Sequence, residues 1–144
     1  MRLAEHLTRF VSAMVLAARA WIALAQVDLE LRRHGFQACL ASCSKLAKVP
    51  TRTADVHLRA RRYASAIERA ARGYPGTARC LHQSLVLHRW MHRDGSETQL
   101  QIGVLRDNGV FGAHAWVELD GRVLNDRAAA VRPFTPLTAH EVAA

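Results

Sequence analysis

Three residues in the second half of the chain are of types that together perform nucleophilic chemistry. Cys80 closes "GYPGTARC" and opens an apolar helical run. His114 sits in the strand-like "VFGAHAWVEL". Asp126 ends "RVLND", just after an Asp120-Gly121 turn signal. A thiolate can attack a carbonyl carbon, an imidazole can carry the proton, and a carboxylate can fix the imidazole tautomer. The bland reading of the same residues is a small apolar thiol, a half-buried histidine and a solvated aspartate. Spacing and pattern alone leave both readings open.

The elements that must position these residues are legible in the hydrophobic period. "RCLHQSLVLHRWMHRDG" reads as a helix over 79–93, closed by Gly95. Its Leu81, Leu85, Val86, Leu87, Trp90 and Met91 cover much of the circumference, which marks a central helix. Cys80 falls in its first turn, where free N–H groups and the helix dipole stabilise a thiolate. The period then switches to two. "ETQLQIGVL" and "VFGAHAWVEL" read as strands joined by a turn at 106–109, and "RVLND" as a third strand. The hairpin parity decides whether His114 meets Asp126. A two-residue turn at Asp120-Gly121 puts His114 opposite Arg127 and turns Asp126 to the other face. A three-residue loop, Leu119-Asp120-Gly121, with Gly121 in a G1 bulge, puts His114 opposite Asp126 at about 5 Å between Cβ atoms. The triad therefore predicts the three-residue loop, or another bulge of equal parity.

The first half is helical in pattern. Residues 3–33 lack Pro and Gly, and Arg32, Arg33 and His34 precede the natural stop at Gly35. A second helix is expected over 36–48, a loop at "VPTRT" with Thr53 as N-cap, and a third helix over 54–72. The N-terminus has the outline of a signal peptide, but Glu5 and His6 occupy the basic region and the apolar pattern resumes beyond Arg19. Arg19 and Asp28 interrupt any span of about 20 apolar residues, so no membrane-crossing helix is expected. The reading is an amphipathic, mostly buried helix, with a membrane-surface role left as an alternative. Pro133 and Pro136 mark an irregular tail.

The 144 residues suit one domain, with a helical part over 1–72 and a helix-plus-sheet part over 73–144. The fold class is α+β: N-terminal helices plus a central helix packed on a small antiparallel sheet. Cys39 and Cys43 share one helix face. With His34 they fall short of a four-ligand zinc set and read as core thiols. Three cysteines do not make a secreted disulfide framework, so a cytoplasmic protein is expected. No metal and no cofactor are expected. The net charge of +8 and pI near 10.7 favour acidic partners. A basic module binding nucleic acid or a membrane surface would explain the charge but not the Cys80, His114, Asp126 layout, and no nucleic acid is expected.

Taken together, "ARCLHQSLVLHRWMHRDG", "LQIGV" and "FGAHAWVELDGRVLND" resemble the transglutaminase-like B protein of lasso peptide biosynthesis in its split form, over about residues 72–126. The resemblance implies a papain- or transglutaminase-like fold and a cysteine peptidase that removes the leader of a lasso precursor peptide. It carries the family's Cys, His and Asp onto Cys80, His114 and Asp126. It also implies partners: a leader-binding RiPP recognition element and an asparagine-synthetase-like cyclase. Residues 1–72 show no strand pattern for a winged-helix recognition element, so leader binding falls to a separate protein. A transglutaminase-like acyl transfer is the alternative on the same scaffold. The Cys80 N–H is the natural first oxyanion donor. Gln83 is a weak second candidate, and Trp116, on the His114 face, either walls the site or packs. His82, His88 and His92 read as packing or surface residues.

Overall fold

The computed structural model describes residues 2–45 and 55–137. Helix α1 runs Arg2–Ser44 and is broken once, at Gly35, where φ is 78°. That is the stop expected from the sequence, but here it is a kink and the helix resumes at once with Phe36. Helix α2 spans Val56–Gly73, with Asp55 in the cap position making no side-chain cap bond. The expected cap Thr53, the loop 49–53 and the end of the second expected helix, 46–48, lie outside the described residues. Helix α3 spans Cys80–Arg93, and Gly95 (φ 81°) turns the chain away behind it.

The three helices share one core. Leu24 and Val27 of α1, Ala60 and Ile67 of α2, and Leu85, Val86, Leu87 and Met91 of α3 are buried in a single cluster. A buried fork ties α3 to α1: the Arg89 guanidinium donates to both carboxylate oxygens of Glu30, at 3.1 and 2.6 Å, and to Ser42 Oγ at 3.0 Å. The expectation of a mostly buried first helix needs correcting. Residues 3–15 are exposed throughout, and Leu7 and Phe10 each keep 64% of their surface. The reason is length: 43 residues make a rod of about 65 Å, against about 27 Å for the 18 residues of α2. Burial therefore begins only at Leu16. By length and composition α1 could also cross a membrane, with an 18-residue window of mean hydropathy 1.7. Arg19, expected to interrupt such a span, lies 5.3 Å over the Trp90 ring.

The sheet is four-stranded and antiparallel, in the order β3-β2-β1-β4. Strands β1 (Gln99–Asp107) and β2 (Val110–Leu119) pair along their whole length, and β2 matches the sequence reading residue for residue. Asn108 and Gly109 join them with φ of 46° and 81°, the primed turn that suits strand twist. Strand β3 is only Arg122–Val123, paired Glu118↔Val123 and Leu119↔Arg122. Asp120 (φ 50°) and Gly121 (φ 75°) thus form a two-residue turn, not the three-residue loop the triad predicted. Asp and Gly both tolerate positive φ, so the tighter turn is open to them. The tail is not wholly irregular either. It holds α4 (Ala128–Val131) and β4 (Thr135–Pro136), whose partners on β1 are Val104 and Gly103. Helix α3 packs against this sheet, with Val117 joining the helical core. The architecture is the α+β arrangement read from the sequence.

His88 is 5% exposed, with Nδ1 2.8 Å from Thr98 Oγ1 and its ring 4.3 Å from that of His92. Burial, aided by the neighbouring His92, holds its acidity at about 4, against 6.5 in an ordinary histidine. As pH falls from 6.5 towards 4, the unfolded chain takes up a proton that the folded one refuses. Stability is full above 6.5 and drops by about 3 kcal/mol through that window. His88→Asn keeps a polar atom at the position of Nδ1 for Thr98 without titrating, so its melting temperature is expected to vary less between pH 6.5 and 4 than that of the parent.

Candidate active site

The way Asp126 reaches His114 is the first question, because a two-residue turn should keep them apart. Leu124 N–H still bonds Val117 O at 2.9 Å, and there the backbone ladder ends. At the position where Leu124 O would accept, Asn125 Oδ1 accepts the Val117 N–H instead, at 2.9 Å. Asn125 Nδ2 donates to Ser84 Oγ at 2.9 Å, and Ser84 Oγ donates to Ala115 O at 3.0 Å. Side chains of Asn125 and Ser84 thus finish the edge of β2 that β3 leaves open. The chain bends out over 124–126. Asp126 arrives beside His114, with Nε2 and Oδ2 2.6 Å apart, while Oδ1 accepts the Arg127 N–H at 2.7 Å.

Cys80 is the first residue of α3. Arg79 before it is extended, and the Arg79 carbonyl accepts the first helical bond from Gln83 N–H at 3.1 Å. The Cys80 N–H therefore belongs to the free end of the helix. The thiol is half-buried. Ser84 lies one turn further on the same face, about 6 Å along the axis, so the Ser84–Asn125–Ala115 contacts fix the turn that carries the thiol. Among the described residues no hydrogen bond joins Cys80 to His114. The loop before Cys80 is anchored separately. Tyr74 OH donates to Asp28 at 3.4 Å, and the Tyr74 ring meets Trp21 edge-on at 5.3 Å. A Cβ at Gly76 would stand 2.7 Å from that ring, so the loop needs glycine there. Asp28 also pairs with Arg32 at 3.0 Å and with His82 at 3.4 Å; the Arg32 bond holds its carboxyl below the ordinary range, and burial does the same for the His82 imidazole.

The remaining sequence candidates lie around the His114–Asp126 pair. Gln83 Nε2 donates to Ala78 O at 2.9 Å, which bends its amide back onto the loop. Trp116 is 2% exposed and bonds Glu118 through Nε1 at 2.7 Å. Its ring lies nearly parallel to His114, at 6.1 Å and 26°. Phe134 covers His114 from another side at 5.3 Å. At Gly103, the partner of His114 in the ladder, a Cβ would stand 2.8 Å from the Trp116 ring and 2.8 Å from the Cβ of Phe134. His82 and His88 are buried and His92 half-buried, as packing residues should be. Sequence reasoning missed Ser84, Gly103 and Phe134, and saw Asn125 only as half of "ND". A strand glycine and a serine four residues after the cysteine were the available signals.

An ionised carboxylate only accepts, so His114 presents Nε2–H to Asp126 and keeps Nδ1 as its basic nitrogen. That is the tautomer a proton carrier for a thiol requires. The other cysteines are unsuited to the role. Cys43 is fully buried and Cys39 1% exposed, and burial pushes the Cys39 thiol up to about 12. Among the described residues no group of three His, Cys, Asp or Glu side chains is placed to hold a metal ion.

The sequence pattern of the transglutaminase-like superfamily matches residues 23–139. The chain belongs to the transglutaminase-like superfamily. No curated protein and no solved structure matches it. A transglutaminase-like domain is suited to cysteine peptidase or acyl-transfer chemistry, and here it takes in Cys80, His114 and Asp126. The match also begins inside α1, so the helical part from residue 23 onward, outside the resemblance over residues 72–126, is part of the superfamily's domain. The exposed segment 3–15 precedes the match.

Proposed function

We propose that this transglutaminase-like protein is a cysteine peptidase that removes the leader from a lasso peptide precursor. Cys80 is the nucleophile, His114 the proton carrier and Asp126 the residue that orients it. What supports the reading most is the 2.6 Å His114–Asp126 contact, reached by a departure from the strand ladder that side chains stabilise. "RCLHQSLVL", "AHAWVE" and the closing "ND" favour a lasso precursor as substrate.

The chemistry runs in two halves. The Cys80 proton passes to His114, and Sγ bonds to the scissile carbonyl carbon. The carbon–nitrogen bond breaks, and the imidazolium gives its proton to the departing amine, the new N-terminus. Water then attacks the thioester, His114 takes its proton, and the carbon–sulfur bond breaks to release the leader carboxylate. The Cys80 N–H is the available oxyanion donor. A separate RiPP recognition element presents the leader, and an asparagine-synthetase-like cyclase closes the ring on the freed amine. Acyl transfer to an amine differs only in the second half.

The test is leader release from precursor and recognition protein, followed by mass spectrometry. The parent is expected to yield free leader and Cys80→Ala none. Release by Cys80→Ala overturns the reading, and a leader–amine conjugate in place of free leader makes the protein an acyltransferase.

A further inference from the structure

A hollow of about 230 Å³ lies between α2, α3 and the bend that carries Asp126, with Gln83, Leu87 and Asp126 in its wall. Gln83 and Leu87 follow Cys80 by three and seven residues and share its face of α3, so the hollow opens about one turn from the thiol. A groove of about 460 Å³ lies on the other flank of α2, between it and α1. Leu16 and Leu58 give it apolar surface, and Arg9, Arg61, Arg62 and Arg69 line it with no acidic residue. All four arginines are exposed, and none is in an ion pair among the described residues. The two hollows share Arg61 and Ser65. Ser65, short and exposed, lies on α2 between them and lines both. The acids of the first hollow are engaged: Glu68 pairs with Arg72 at 2.7 Å and Asp126 with His114.

We infer that the two hollows form one track for a polypeptide substrate, and that the segment filling the arginine-lined groove is acidic with interspersed apolar side chains. This rests on the peptidase reading. Four unpaired guanidinium groups favour negative charge opposite them, and the leucines favour apolar partners. The groove has no aromatic lining on which nucleic-acid bases could stack. It lies between two helices, whereas a lipid surface would meet the exposed apolar residues of α1, among them Leu7 and Phe10.

The test uses full-length Cys80→Ala protein, so that binding is read without turnover. The probe is a fluorescein-labelled peptide of alternating Glu and Leu, compared by anisotropy with a Lys–Leu peptide of equal length. The acidic peptide is expected to bind, more weakly as salt rises, and the basic one not. Arg61→Glu with Arg62→Glu and Arg69→Glu is expected to weaken binding at least tenfold. Ser65→Trp, which changes no charge, is expected to weaken it by filling the place the two hollows share. Equal binding of both peptides, unchanged binding by the variants, or preference for anionic phospholipid vesicles or a single-stranded oligonucleotide overturns the proposal. Any of these outcomes leaves the leader-release result standing, so the two readings fail separately.

Discussion

Replacing Asp126 by asparagine is expected to lower turnover by about 10³–10⁴-fold with the fold unchanged. The 2.6 Å contact to His114 Nε2 is the reason. An aspartate there accepts from Nε2–H and leaves Nδ1 free as the base. An asparagine can turn its NH₂ towards Nε2, which must then accept, and the ring proton moves to Nδ1. The imidazole becomes a donor where an acceptor is needed; the same exchange in a serine triad has a cost of about 10⁴. Single-turnover cleavage of the precursor, with circular dichroism as the check on folding, measures this. Turnover within tenfold of the parent would mean that Asp126 does not set the tautomer.

Asn125→Ala is expected to lower both stability and turnover. It removes the acceptor of the Val117 N–H and the donor to Ser84. An unsatisfied buried N–H costs about 1–3 kcal/mol, which lowers the melting temperature by several degrees in a chain of this size. The same change frees the bend that carries Asp126 and loosens the hold on the first turn of α3. Misplacement of a reacting group by about 1 Å costs on the order of a hundredfold, so turnover is expected to drop by about that much while KM changes little. A variant that melts earlier but turns over normally would confine Asn125 to packing.

These two residues also show where the sequence stopped being informative. Cys80 at a helix start, His114 in a strand and Asp126 beyond a turn were legible from residue type and period. So were the limits of β2, because alternation at 110–119 and turn residues on either side leave little choice. The hairpin parity was legible too, and an irregularity does bring Asp126 to His114, but it is not the three-residue loop expected at the turn. That argument assumed backbone pairing as far as Asp126, whereas the ladder stops at Leu124 and a side-chain amide replaces a main-chain carbonyl. Nothing in local pattern announces that substitution, since it depends on Ser84 arriving from another element. The exposure of α1 was hidden for a related reason. Leucine and alanine on all sides read as burial, but whether a partner is long enough to provide it is a tertiary fact. Strand β4 escaped notice because two residues containing a proline read as tail, although an edge position tolerates the missing N–H.

The most direct measurement of the central claim is the rate at which each cysteine reacts with iodoacetamide near neutral pH, resolved by peptide mass spectrometry. Exposure alone would make Cys80 faster than the buried Cys39 and Cys43, so the deciding comparison is between parent and His114→Ala. Cys80 is predicted to react far faster than the other two in the parent, and to slow markedly when His114 is gone. Three thiols reacting alike, or a Cys80 rate indifferent to His114, would contradict a shared Cys80, His114, Asp126 site.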